Sequence, residues 1–295
     1  MKKTRKKKSV GNLTMDIVIW VILLVAGLSA LYPLWYVLVA SFMDATDLTK
    51  STGILLWPEK MDFKAYSLVF ENKLLLSGLK NSVKIIILSL PLSIVMTLLC
   101  GYFMACSGMM FKKIIVFMIM FTMFFGGGLI PTYLNIRSLG LYDSVWALVV
   151  PGCLSVYNSI ICKTSIEAIP DSLKESAYLD GANDFHIIFR IVVPLIKATL
   201  AVLLLYYGVS AWNSWYSASI YLTKDTDMPI QNILRAILIA NKTLGGEMDS
   251  ADSYNAYAET IKYAAIIVST VPILCIYPFL QKYFAKGALI GAVKG

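Results

Sequence analysis

The side chains of this 295-residue chain that could do chemistry crowd into one stretch. Between Pro170 and Pro194 stand four carboxylates, Asp171, Glu175, Asp180 and Asp184. The small residues Ser176 and Ala177 follow Glu175, and Gly181 follows Asp180. Ser172 and Glu175 have capping-box spacing, so a helix is predicted to start there. Gly181, the residue type that accepts left-handed backbone, should stop it. Asn183 or Asp184 should cap a second short helix that Pro194 ends. A helix–turn–helix of this kind offers Glu175 and Asp180 to a basic partner, while Ser176 and Ala177 let another surface come close. That is docking chemistry, with no catalytic step in it.

Catalytic alternatives find no material. His186 is the single histidine, so a Ser–His device or a histidine-based metal site has nothing to build on. The five cysteines, Cys100, Cys106, Cys153, Cys162 and Cys275, include no CxxC pair and read as small packing residues. No Gly-x4-Gly-Lys-Ser/Thr nucleotide loop occurs.

The elements that must position the loop lie in a membrane. Hydrophobic residues make up 58% of the chain and charged ones 15%, with a mean hydropathy of +0.71. A soluble domain is roughly half apolar and a quarter charged. Six stretches free of internal charge reach the ~20 residues a spanning helix needs: 17–43, 85–111, 114–137, 144–162, 198–223 and 263–281. Their length and lack of period-two alternation predict an all-α protein with six transmembrane helices. The first stretch exceeds the apolar core of a signal peptide and reads as a retained anchor. With the N-terminus inside, residues 1–16, 105–113, 163–197 and 282–295 carry 15 basic and six acidic residues, led by Lys2, Lys3, Arg5, Lys6, Lys7 and Lys8. That bias places both termini in the cytoplasm. The net charge of +8 then serves topology and contact with anionic lipid, not nucleic acid. No charged residue lies mid-span, which disfavours an ion relay, and no internal repeat suggests a secondary transporter. The organisation is a basic N-terminus 1–16, a membrane domain 17–282 and a cytoplasmic tail 283–295.

Between spans, Phe63, Tyr66 and Phe70 suit an interfacial helix over 63–76, and Asn81-Ser82 is a candidate cap for span two. The external loop 224–262 exposes a tip at Gly245, Gly246, Glu247, Met248 and Asp249. Gly126-Gly127-Gly128 with Pro131 either packs span three closely or breaks it to line a pathway. Tyr206, Tyr207, Trp212, Trp215 and Tyr216 either form an interfacial belt or stack on a passing sugar.

The pattern Glu-Ser-Ala-x3-Gly-x9-Ile-x-Val-Pro, Glu175 to Pro194, resembles the EAA loop of ABC importer permeases, with Ser176 and Val193 replacing alanine and leucine. Residues 125–133, Pro151-Gly152, Trp212-Asn213-Ser214-Trp215 and the tail 287–295 resemble the MalG-type branch of carbohydrate permeases, and within it the LplC-like group. The resemblance runs from Val18 onward.

It implies the permease fold of a type I importer and a transport subunit with no catalytic site, cofactor or metal of its own. The implied partners are a second, MalF-like permease, two ATPases that hold ATP and Mg, and an extracellular solute-binding lipoprotein. Glu175, Ser176, Ala177, Asp180, Gly181, Ile191 and Pro194 would couple to an ATPase. Gly245 to Asp249 would meet the binding protein, and Gly291, Lys294 and Gly295 would contact the ATPases. Gly127, Gly128, Tyr207, Trp212 and Asn213 are pathway-lining candidates. The expected cargo is an oligosaccharide or a polysaccharide fragment. Other solutes (a polyol, glycerol phosphate or a peptide) stay open, and a membrane enzyme would need clustered carboxylates or histidines that the chain lacks.

Overall fold

Every regular element among the described residues is helical. The computed structural model describes residues 10–51, 53–58, 60–106, 110–240 and 257–292. Gly245, Gly246, Glu247, Met248 and Asp249 lie outside them, as do Lys294 and Gly295. The helices are α1 (Val10–Ala40), α2 (Ala45–Lys50), α3 (Lys64–Glu71), α4 (Lys73–Ala105), α5 (Lys112–Phe124), α6 (Leu129–Ser138) and α7 (Trp146–Val149). They continue with α8 (Val156–Glu167), α9 (Asp171–Leu179), α10 (Asp184–Leu195), α11 (Lys197–Trp212), α12 (Trp215–Tyr221), α13 (Ile230–Ala240) and α14 (Ala258–Ala292).

Among the described residues, at most five of the six expected spans form, and they differ in kind. The first, second and sixth are single helices long and apolar enough to cross a membrane. The third is α5 and α6, bent by 114° at the glycine run, and the fifth is α11, set at 88° to α10. The fourth is not continuous. Only α7 and α8 form within it, because Pro151 and Gly152 interrupt the ladder of backbone hydrogen bonds.

The chain divides into two compact units, residues 1–71 with 245–268 and residues 72–244 with 269–295. In the first, Val39, Ala40, Met43 and Leu55 close a small apolar cluster. The Tyr257 hydroxyl lies 3.1 Å from the Asp44 carboxylate and 3.0 Å from that of Asp62. Burial, together with these two acceptors, pushes the phenol up to about 12. The interfacial helix forms as α3, shorter than the predicted 63–76. Along α1, Trp20, Leu24 and Leu28 are exposed, as a helix set among lipid chains requires.

The second unit is organised by α4, which packs on α8, α11 and α13. The helix begins well before Asn81-Ser82, with Asn72 as its cap accepting the Leu75 N–H at 3.1 Å. The expected cap residues instead sit mid-helix and hold another segment. Asn81 Nδ2 donates to the carbonyls of Thr226 (2.7 Å) and Met228 (3.1 Å), and Ser82 Oγ accepts the Ile230 N–H at 2.9 Å. Those groups open α13, whose Ile230, Ile233 and Ile237 are buried at helical spacing. Polar residues that resemble a cap in sequence are therefore used across the fold.

Gly101 sets the approach of α4 to α8. A Cβ there would stand 2.9 Å from both Cβ and Sγ of Cys162 and 3.2 Å from the Lys163 nitrogen. Gly101→Ala should force the helices apart at a cost of about 1–3 kcal/mol and lower the melting temperature in detergent. Gly126→Ala, with nothing within 4 Å of the added atom, should leave it unchanged. Equal melting of the two variants would contradict this packing.

Candidate functional site

The acidic loop folds as the predicted helix–turn–helix, with a different start. α9 begins at Asp171 with Pro170 in the cap position and no side-chain cap. Ser172 falls inside the first turn, so the capping box does not form. Pro170 leads the chain in on extended backbone, and Asp171 places a carboxylate at the positive helix end.

The stop occurs where glycine predicts it. Gly181 has φ +82°. Its N–H reaches the Tyr178 carbonyl at 3.0 Å, and the Ala182 N–H reaches the Ala177 carbonyl at 2.9 Å. This pair of bonds closes a Schellman turn. Asn183 Oδ1 then caps α10 by accepting the His186 N–H at 2.8 Å. Within α10, residues Ile187–Val192 form a π-helical turn that buries Ile187, Ile188 and Val192. Pro194 has no N–H to give, and the helix ends one residue later. Ile191 is half-buried and Pro194 exposed.

What fixes this loop is an apolar cluster at the end of the spans. Ala177 of α9, with Ile187, Ile188 and Val192 of α10, meets Leu98 and Tyr102 of α4. Cys162 and Ile166 of α8 and Leu203 of α11 complete it. Glu175, Ser176 and Asp180 are left on the exposed face.

Sequence reasoning missed two parts of this site. The first is a polar clasp on Asp184, whose Oδ1 accepts from Tyr178 Oη at 2.5 Å and from Tyr102 Oη at 2.9 Å. Donating to that carboxylate raises the Tyr178 pKa. Tyr102 lies 82 residues from Asp184, and no local pattern links them. The second is an exposed apolar rim of Leu173, Leu179, Phe185 and Phe189, with Leu179 89% exposed. The signal for it was Leu179-Asp180-Gly181, an apolar residue placed where the helix ends.

The broken fourth span frames a cavity of about 400 Å³ between α4, α6, α7, α11 and α12. Tyr207 and Asn213 are on its wall. The Tyr207 hydroxyl accepts the Ser155 N–H at 3.0 Å and shares a 2.6 Å hydrogen bond with Thr97, so it closes one of the backbone groups freed by the break. Trp212 is buried and does not line the cavity.

Of the aromatic residues, Tyr207 and Trp212 are buried while Tyr206 and Tyr216 are exposed. Trp215 packs under the Arg235 guanidinium, 4.1 Å from the ring centre. Gly127 and Gly128 lie in the sharp bend between α5 and α6. Side-chain atoms added at Gly126 or Gly128 would meet nothing, so tight packing is not their role within this chain; Gly128, at φ +84°, turns the backbone. Among the described residues, no group of three His, Cys, Asp or Glu side chains could hold a metal.

Residues 75–289 match the family described as binding-protein-dependent transport system inner membrane component. The polygalacturonan/rhamnogalacturonan transport system permease protein YtcP of Bacillus subtilis is 38% identical to this chain, over 96% of it and 99% of its own length. Protein LplC of the same organism is 34% identical over 93% of each chain. Among solved structures, a chain of a bacterial ABC transporter involved in import of the acidic polysaccharide alginate matches with a TM-score of 0.88. It is 29% identical, and the match covers 95% of this chain and 99% of that one.

Asp184→Ala removes the acceptor of two charge-assisted bonds, each worth about 1.5–3 kcal/mol. Amide hydrogen exchange across residues 171–186 should rise at least about tenfold. Asp180→Ala, on the exposed face, should leave exchange unchanged. Equal exchange in the two variants would refute the clasp.

Proposed function

This chain belongs to the family of binding-protein-dependent transport system inner membrane components, and we propose that it moves oligosaccharides or polysaccharide fragments through half of an ABC importer's pathway. It is a multi-pass membrane protein and a transport subunit; ATP is hydrolysed on a separate subunit. The substrate class is supported by a relative whose name specifies polygalacturonan and rhamnogalacturonan, and by the importer of alginate. The full assembly then contains a second permease, two ATPases that bind ATP and Mg, and an external binding protein. Both termini of this chain face the cytoplasm.

One observation carries the coupling role. α9 buries Ala177 in the cluster that joins α4, α8 and α11, while Leu179, Glu175 and Asp180 face outward. An ATPase cleft that closes on the outer face moves α9, and the buried face passes that motion to three spans. Burial of Leu179 in such a cleft contributes about 1.5–3 kcal/mol. Glu175 supplies a carboxylate to a basic partner and fixes orientation more than affinity. Gly245 to Asp249 face the binding protein in this scheme, and Gly291, Lys294 and Gly295 reach the ATPases.

Affinity purification of the tagged chain from its own membranes tests the reading. A second permease, an ATPase and a solute-binding protein should co-purify. Leu179→Asp should cut ATPase recovery at least about tenfold while retaining the second permease, and Glu175→Lys should abolish uptake without preventing insertion. A chain recovered alone, or variants that keep both ATPase and uptake, would overturn the proposal.

A further inference from the structure

We infer that the cavity beneath the broken fourth span is a subsite, built by this chain alone, for one uncharged sugar ring. The inference rests on the importer reading and adds where, and by what chemistry, this subunit touches its cargo. At about 400 Å³ the chamber falls in the range of small-ligand sites. Its wall carries the hydroxyls of Ser89, Ser93, Ser210 and Ser217, the amide of Asn213 and the phenol of Tyr216. Each hydroxyl both donates and accepts, which matches the alcohols of a sugar in any orientation. The ring of Tyr216, 55% exposed, offers an apolar face for sugar C–H groups.

Ser214, also on this wall, has an Oγ shielded from solvent with no hydrogen-bond partner among the described residues. Such a group is costly to leave unpaired, and rotation about its χ1 brings it to a ligand hydroxyl. The break at Pro151-Gly152 fits the same role. Irregular backbone at membrane depth persists where it lines a cavity, and both residues are on this wall.

Among the described residues, none that lines the chamber is charged. An ionised carboxylate placed there loses hydration and gains no cation. Charge stands next door, where a cavity of about 230 Å³ shares Ile85 and Leu148 with the first and carries Lys84, Asp143 and Asp227. The neutral chamber therefore discriminates against a uronate and for a neutral sugar.

Saturation-transfer NMR on the full chain in lipid nanodiscs tests this with methyl β-galactoside and its uronate counterpart at equal concentration. Transfer to the neutral sugar should exceed that to the uronate at least about fivefold. Ser214→Leu, which removes the hydroxyl and narrows the chamber, should abolish it. Ser214→Ala, too small to disturb folding, should weaken it about tenfold. Absent transfer, equal transfer to both sugars, or an Ala variant indistinguishable from wild type would overturn the subsite. Oligosaccharide uptake by cells with and without the chain is measured in parallel. Uptake that depends on the chain while transfer is absent defeats the subsite alone; uptake that does not depend on it defeats the importer reading.

Discussion

Eleven buried side chains, from Leu98 on α4 to Leu203 on α11, hold α4, α8 and α11 and the two loop helices in one apolar cluster. α9 is nine residues long, too short to persist as an isolated helix in water. It exists because Ala177 is packed, because Gly181 closes its end, and because Asp184 binds Tyr178 and Tyr102. A larger residue at Ala177 would lift the helix off α4 and α8. A non-glycine at position 181 would strain the turn that returns the chain to α10. With one face buried, the opposite face has no choice but to present Glu175, Asp180 and Leu179 outward.

The same economy governs the membrane region. Continuous helices satisfy their own backbone groups, so breaks occur where another group takes over. Ser155, freed by the interruption at Pro151-Gly152, donates to Tyr207, which in turn holds Thr97. The bend at Gly126 to Gly128 turns the chain through 114° without crowding any neighbour. One break is thus sealed by a phenol and bordered by hydroxyls, while the other is open on the chain's own surface. The break at Pro151-Gly152 borders the second unit's cavity.

Hydropathy made the spans legible, and Gly181 and Asn183 made the loop's turn and second cap legible, because those signals are local. Three features were not. Asn81 and Ser82 look like a cap, yet they bind residues near position 228, and only the folded chain reveals that partner. The Pro151-Gly152 break was hidden by a charge-free stretch long enough to span. The Tyr102 clasp joins residues far apart in sequence, and apolar Leu179 drew no notice beside the carboxylates. Local chemistry sets where helices start and stop; long-range pairing decides what a polar residue is for.

Because Ala177 is packed in the cluster, α9 and the helices α4, α8 and α11 should move as one body. Spin labels at the exposed positions Ser172 on α9 and Tyr157 on α8, introduced as an unnatural amino acid to spare the native cysteines, measure it by pulsed electron double resonance in the assembled transporter. The distance should agree within about 2 Å between the nucleotide-free and ATP-bound states. A change beyond about 5 Å, the scale of one helical turn, would show α9 sliding free of the cluster and contradict the account.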